Sequence, residues 1–141
     1  MIRIVLDTSV LVAGLRSRNG AANAVLGFVA QRRLVPLGTV ALFLEYEDVL
    51  QRPEQREAMG LTAEQVDRFL TALASAMEPV ETHFSWRPQL ADPDDEMVLE
   101  AAVNGHADAL VTHNIRHFAD AGLRFALPVL RPGDVLRRLR P

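Results

Sequence analysis

Acidic side chains recur in this sequence where a carboxylate serves a ligand better than it serves a fold. Asp7 directly follows the apolar run Ile2 to Leu6, Glu45 sits among Leu42, Phe43, Leu44 and Tyr46, and Asp92, Asp94, Asp95 and Glu96 crowd one short stretch. As plain structure, Asp7 would start a turn or cap the next helix, with Thr8 and Ser9 sharing that work. Glu47 and Asp48 read as a solvated helix face. Glu45 lies at the apolar border of the same helix, where an acid wants a cation or a proton. Asp92 makes a good N-cap and a helix N-terminus welcomes acids, but by only about 0.3–1 kcal/mol each, and mutual repulsion offsets part of that. So many adjacent acids exceed what capping requires. A divalent cation would remove the repulsion, since hard cations prefer several oxygen ligands.

Thr112-His113-Asn114 closes a further apolar run. Asn114 could orient a water or lend its carbonyl oxygen to a metal, and as plain structure it is a turn residue. His113 and His117 have the spacing of a helical zinc pair, but no acid lies between them and no third ligand is evident. His83 and His106 read as ordinary surface or loop residues.

Composition narrows the remaining chemistry. The chain has 141 residues, 49 % of them hydrophobic and 23 % charged, which fits a single globular domain spanning residues 1–141. A formal charge of −3 argues against a general basic coat for nucleic acid. Cysteine is absent, which removes disulfides, thiolate metal sites and cysteine nucleophiles. All 15 basic residues are arginine, so Schiff-base chemistry and a P-loop lysine are excluded as well. The N-terminal stretch lacks the basic head and cleavage site of a signal peptide, and no apolar run is long enough to span a bilayer. The expected setting is soluble and cytoplasmic, without a membrane.

The elements that must position these residues alternate between strand and helix. Ile2 to Leu6 reads as a buried strand of a parallel sheet, and Leu34–Leu37, Val80–Phe84, Ala109–Thr112 and Val129–Leu130 as further strands. Helical spacing covers about Ala21–Arg33, Val40–Leu50 and a segment opened by the Thr62–Gln65 capping box that runs to Met77. Asp92-Pro93 opens a helix that Gly105 stops, and Pro132-Gly133-Asp134 opens a last short one. Gln51 to Gly60 reads as a helix end plus a connection. This alternation predicts an α/β domain with a central parallel sheet flanked by helices, and a ligand edge at the C-terminal ends of the strands where strand order reverses. Asp7, Glu45, the acids near Asp95 and the polar tip after Val111 all converge on that edge, with only oxygen ligands on offer, which suits magnesium or manganese.

Four blocks in order, IVLDTSVLVAGL, LFLEYEDVL, DPDDEMVLEAA and ALVTHNIRHF, resemble the PIN-domain family. Within it the chain is similar to the toxin component of type II toxin–antitoxin systems, the VapC-like ribonucleases. The resemblance implies a three-layer Rossmann-like PIN fold and Mg²⁺- or Mn²⁺-dependent endoribonuclease activity. Asp7 matches the first family acid, Glu45 the second and Asp95 the third, with Asp92 an additional acid of the DPDD subgroup. Asn114 falls on the fourth position, usually aspartate, a departure that weakens a two-metal arrangement more than it weakens the nuclease. Under this resemblance Asp7, Glu45, Asp92 and Asp95 would hold one or two ions, and in-line attack by a metal-activated water would need no protein nucleophile.

Thr8, Ser9 and Thr112 could bind a phosphate oxygen or orient the ligand carboxylates. Arg16, Arg18 and Arg116 are candidate phosphate contacts, and Arg137, Arg138 and Arg140 could serve RNA or an acidic partner. The expected partners are RNA substrate, a small antitoxin and further copies of the chain as a homodimer or higher oligomer. Helices containing Leu42, Phe43 and Tyr46, or Phe69, Leu70 and Leu73, could offer a groove to a partner helix or could pack in the core. Two other classes stand against the nuclease. One is a catalytically inactive RNA-binding or scaffold module, suggested by Asn114. The other is a phosphatase with Asp7 as nucleophile, which lacks both a second Asp two residues on and the lysine it needs.

Overall fold

The computed structural model describes residues 2–83 and 87–139. Five parallel strands, β1 (Ile2–Leu6), β2 (Leu34–Gly38), β3 (Glu78–Pro79), β4 (Ala109–Val111) and β5 (Val129–Leu130), form one sheet in the order β3-β2-β1-β4-β5. Ile4 pairs with Pro36 on one side and Ala109 on the other, which fixes the register of the centre. Ile4, Val5, Leu6 and all three residues of β4 are buried, as expected of strands covered on both faces.

Eight helices flank this sheet among the described residues: α1 (Thr8–Arg16), α2 (Ala21–Ala30), α3 (Val40–Leu50), α4 (Pro53–Met59), α5 (Ala63–Ala76), α6 (Pro93–Asn104), α7 (Ile115–Arg124) and α8 (Pro132–Leu139). The α/β arrangement is the one expected. Local chemistry sets several boundaries. Thr39 caps α3 by accepting the Leu42 N–H at 3.0 Å, and Thr62 and Gln65 close the expected capping box on α5. The helix α6 stops at Gly105, where a Cβ would come within 2.9 Å of the Ala101 carbonyl oxygen and of the Val80 side chain.

Three helices were not legible as such. In α1 the residues Val10 to Leu15 that follow the polar Asp7-Thr8-Ser9 contain no polar side chain, so no helical spacing stands out. In α7 the buried stripe is Phe118, Ala121 and Gly122, which has helical spacing but only one large side chain to mark it. The segment expected to connect residues 51 and 60 contains α4, begun by Pro53 and ended by Gly60 at φ 69°, with Met59 its one buried side chain. The third strand is Glu78–Pro79, ahead of the expected Val80–Phe84: it pairs with Leu37 and Gly38 where β2 ends, and Val80 adds one N–H to the Gly38 carbonyl at 2.9 Å. Phe84 and Arg140 lie outside the described residues. Leu42, Tyr46, Leu70 and Leu73 are buried in the core and are not open to a partner helix. No helix among the described residues is long and apolar enough to cross a membrane.

Candidate active site

Strand order reverses between β1 and β4, since the chain leaves β1 for β2 on one side and returns through β4 on the other. Ligands of open parallel sheets collect outside that point, and Asp7 stands there. Its backbone N–H donates to the Val111 carbonyl at 2.9 Å, carrying the pairing one residue past β1. Asp7 occupies the N-cap position of α1, yet its side chain makes no capping bond. Its Oδ2 instead accepts the Ser9 and Thr112 hydroxyls, each at 2.7 Å. Each hydroxyl oxygen in turn accepts a backbone N–H of the turn after β4, Thr112 from Asn114 at 2.9 Å and Ser9 from His113 at 3.2 Å. The carboxylate is only 5 % exposed, and no described cation pairs with it. Oδ1 accepts no hydrogen bond and is not a sealed polar atom, so it opens on the neighbouring space. A buried carboxylate held by hydroxyls and left without a counter-charge is costly to the fold alone.

The helix α3 brings Glu45 to the same edge. Tyr46 beside it is fully buried, and its hydroxyl donates to the Leu6 carbonyl, which ties α3 to the end of β1. Burial, with the charge of Asp7 adding to it, pushes the Tyr46 phenol far above its ordinary value, so it remains a donor. Burial likewise raises the Glu45 carboxyl, and the charges of Asp94, Asp48 and Asp92 raise it further, while Arg52 partly offsets them.

The start of α6 divides its acids among different tasks. Asp92 is exposed and caps the helix, accepting the Asp94 N–H at 2.9 Å. Glu96 is buried and accepts the N–H groups of Gln89 and Leu90 at 2.5 and 2.7 Å, which anchors the incoming loop. Asp95 is raised first by burial and next by the charge of Asp7, while His117 opposes the shift. The contact is direct, His117 Nδ1 lying 3.1 Å from Asp95 Oδ2.

These elements enclose a cleft of about 500 Å³ whose walls include Asp7, Glu45, Asp94 and Asp95 together with Thr8, Ser9, Arg16, Gln55 and His113. Of the expected site residues, Asp7, Glu45, Asp95, Thr8, Ser9 and Arg16 therefore share one space. Thr112 is fully buried, and its hydroxyl is committed to Asp7 and the Asn114 N–H. It orients the carboxylate and cannot also bind a phosphate. Asp92, Asn114, Arg18 and Arg116 do not line this cleft. Asn114 is exposed at the N-cap of α7, and its side chain makes no capping bond. Asp94, His113 and His117 were not singled out as site residues from the sequence. The crowding of acids marked the neighbourhood of Asp94, and the spacing of the two histidines marked theirs.

The donor set suits a hard divalent cation, with carboxylate oxygens on three elements, two of the acids raised by burial and neighbouring charge, and no thiolate available. The acids share the cleft without forming a closed shell, for among the described residues no group of three His, Asp or Glu side chains is arranged to hold an ion as it stands. A larger hollow of about 590 Å³ lies beside the N-terminal ends of β4 and β5, lined by His83, Asn104, His106 and apolar neighbours. It holds no acid and lies at the wrong end of the strands for this chemistry.

A sheet of this order with acids at its switch point defines a Rossmann-like α/β protein with an acidic ligand edge. A profile of the PIN domain matches residues 3–116, and the chain belongs to the PIN-domain family. Its structure is similar to a chain of VapBC2 from Rickettsia felis, a crystal structure bound to a DNA fragment from their promoter. The TM-score is 0.61 at 14 % identity, over 92 % of this chain and 98 % of that chain. At that identity the likeness is one of fold. Among curated proteins no sequence matches significantly.

Proposed function

We propose that this chain is an endoribonuclease dependent on Mg²⁺ or Mn²⁺ and the toxin of a toxin–antitoxin pair. The observation that carries the reading is the buried Asp7, without a counter-charge, in one cleft with Glu45, Asp94 and Asp95. Asp7, Glu45 and Asp95 would hold the ion, with Asp94 within the same cleft and Asp92 beyond it. An ion bound there would supply an activated water at neutral pH and stabilise charge on the attacked phosphodiester.

The chain's own residues set the conditions for that chemistry. Ser9 and Thr112 fix Asp7 through Oδ2, which leaves Oδ1 toward the cleft. Tyr46 holds Glu45's helix against the end of β1. Arg16 brings a positive charge into the cleft wall, where a polyanion must approach an acidic surface. Arg18 lies just past α1 and Arg116 on α7, where each can contact a longer strand. The likeness of fold to a VapBC2 chain supports a small antitoxin as cognate partner, and further copies of this chain are proposed as its homo-oligomeric partners in the cytoplasm.

Purified protein is expected to cleave single-stranded RNA when Mn²⁺ or Mg²⁺ is added, to stop when EDTA is present in excess, and to resume when the ion is restored. Cleavage that persists in EDTA would overturn the proposal. The position of Asn114 outside the cleft favours a second reading, an RNA-binding module without turnover. Tight RNA binding with no cleavage across both ions would establish that reading instead.

A further inference from the structure

We propose that a second hollow, adjoining the acidic cleft, is a nucleotide subsite for single-stranded RNA in which Arg116 holds the phosphate flanking the reacting one. The inference rests on the nuclease reading and extends it to the path of the substrate. The hollow measures about 320 Å³, and Asp95 belongs to its wall as well as to the wall of the acidic cleft. A strand lying across Asp95 therefore passes from one space into the other.

Three basic side chains line the second hollow, and two already have structural work. Arg124 Nη2 donates to the Gln89 carbonyl at 3.0 Å and braces the loop before α6. His117 pairs with Asp95. Arg116 makes no hydrogen bond or ion pair with any described residue, although Asp120 lies one turn further along the same helix. Arg116 also sits in the first turn of α7, where the helix dipole favours an anion and Asn114 provides no side-chain cap.

The occupant must suit the rest of the wall. Asp92 and Asp120 also line it, both exposed, and their carboxylates can accept an N–H or O–H. Leu90 and Ala91 offer an apolar surface. A nucleotide carries all three features: a phosphate for Arg116, base or ribose donors for Asp120, and a flat base face for the apolar wall. A free inorganic anion would satisfy Arg116 alone and leave the apolar wall uncovered. A base must be unpaired to enter, which points to a single strand.

The test is equilibrium binding of a short fluorescein-labelled single-stranded RNA of mixed sequence, read by anisotropy across a salt series. The Asp7→Asn protein is used so that turnover does not consume the probe. Adding Arg116→Ala is expected to weaken binding about 5–10-fold and to lower the slope of log Kd against log salt by about 0.7, the share of one phosphate contact on a single strand. Arg116→Lys should keep the slope, and Arg68→Ala on α5 should change neither quantity. An Arg116→Ala protein with unchanged affinity and slope would overturn the subsite. Cleavage assays on otherwise wild-type protein separate the two proposals. RNA binding that depends on Arg116 but never leads to cleavage in Mn²⁺ would remove the nuclease and keep the subsite. Cleavage with KM within about twofold after Arg116→Ala would remove the subsite and keep the nuclease.

Discussion

Asp7→Asn is expected to lower RNA cleavage by on the order of 10³-fold or more while raising the melting temperature of the metal-free protein. The two effects have one cause. The amide oxygen of Asn can still accept the Ser9 and Thr112 hydroxyls, so the local framework survives. What disappears is the negative charge that a cation needs and that Asp95 feels as repulsion. Relief of that repulsion should contribute on the order of 1 kcal/mol, a rise of about 3 °C for a domain of this size.

The sign with pH follows from Asp95, whose folded-state value is raised above its ordinary one by burial first and by the charge of Asp7 next. A raised acid lowers stability once both states are ionised, so its penalty grows as pH rises through the ordinary value toward the folded one and is complete above it. The advantage of Asp7→Asn should therefore be full at pH 7 and fade as the solution is acidified through that range. Saturating Mn²⁺ should reverse the order. Binding at a hundredfold excess over Kd adds about 2.7 kcal/mol to the wild type and much less to the variant. Calorimetric melting with and without the ion reads both effects. A variant that melts lower than wild type without metal, or that gains as much as wild type from Mn²⁺, would contradict the argument.

Glu96→Ala is expected to be the most destabilising change at the start of α6, although Glu96 faces no ligand. Its carboxylate accepts two backbone N–H groups from the loop before the helix. Truncation leaves both donors without their acceptor, at about 1–3 kcal/mol each when buried. Gln89 and Leu90 are half-buried, so the total should be about 2–4 kcal/mol, a fall of roughly 6–12 °C. Glu96→Gln keeps an oxygen in place and should cost less than about 1 kcal/mol. Because that loop leads into the helix start that carries Asp92, Asp94 and Asp95, the alanine variant should also lose activity at temperatures where it remains folded. Equal melting of the two variants would show that the carboxylate is not the anchor.

The division of labour on α6 explains what could be read in the sequence. The crowding of acids was visible, and so was the helix start, with Asp92 before Pro93. Successive helical residues turn by about 100°, however, so adjacent acids face different surroundings, and their order does not say which surroundings those are. Asp92 drew attention through its motif and caps the helix, whereas Asp94 reached the cleft. Asp7 was legible because a strand end in a parallel sheet has a predictable place, and the hydroxyls that hold it stood beside it and beyond β4. Tyr46 was visible as an aromatic residue but its bond to the Leu6 carbonyl was not, since that contact joins elements 40 residues apart. His117 likewise needed the packing of α7 near α6 before its link to Asp95 could be seen. The strands and the long helices were readable from buried periodicity. The three unrecognised helices had an apolar run with no polar spacing, one large side chain among small ones on the buried face, or a single buried side chain.

The central claim is that acids from β1, α3 and α6 cooperate on one cation. Crystals grown in Mn²⁺ and measured at wavelengths either side of the manganese absorption edge test it most directly. The account predicts an anomalous peak in the acidic cleft, coordinated by Asp7 and by Glu45 or Asp95 at about 2.2 Å. Manganese bound only elsewhere on the surface, or a cleft without anomalous signal at saturating Mn²⁺, would contradict it.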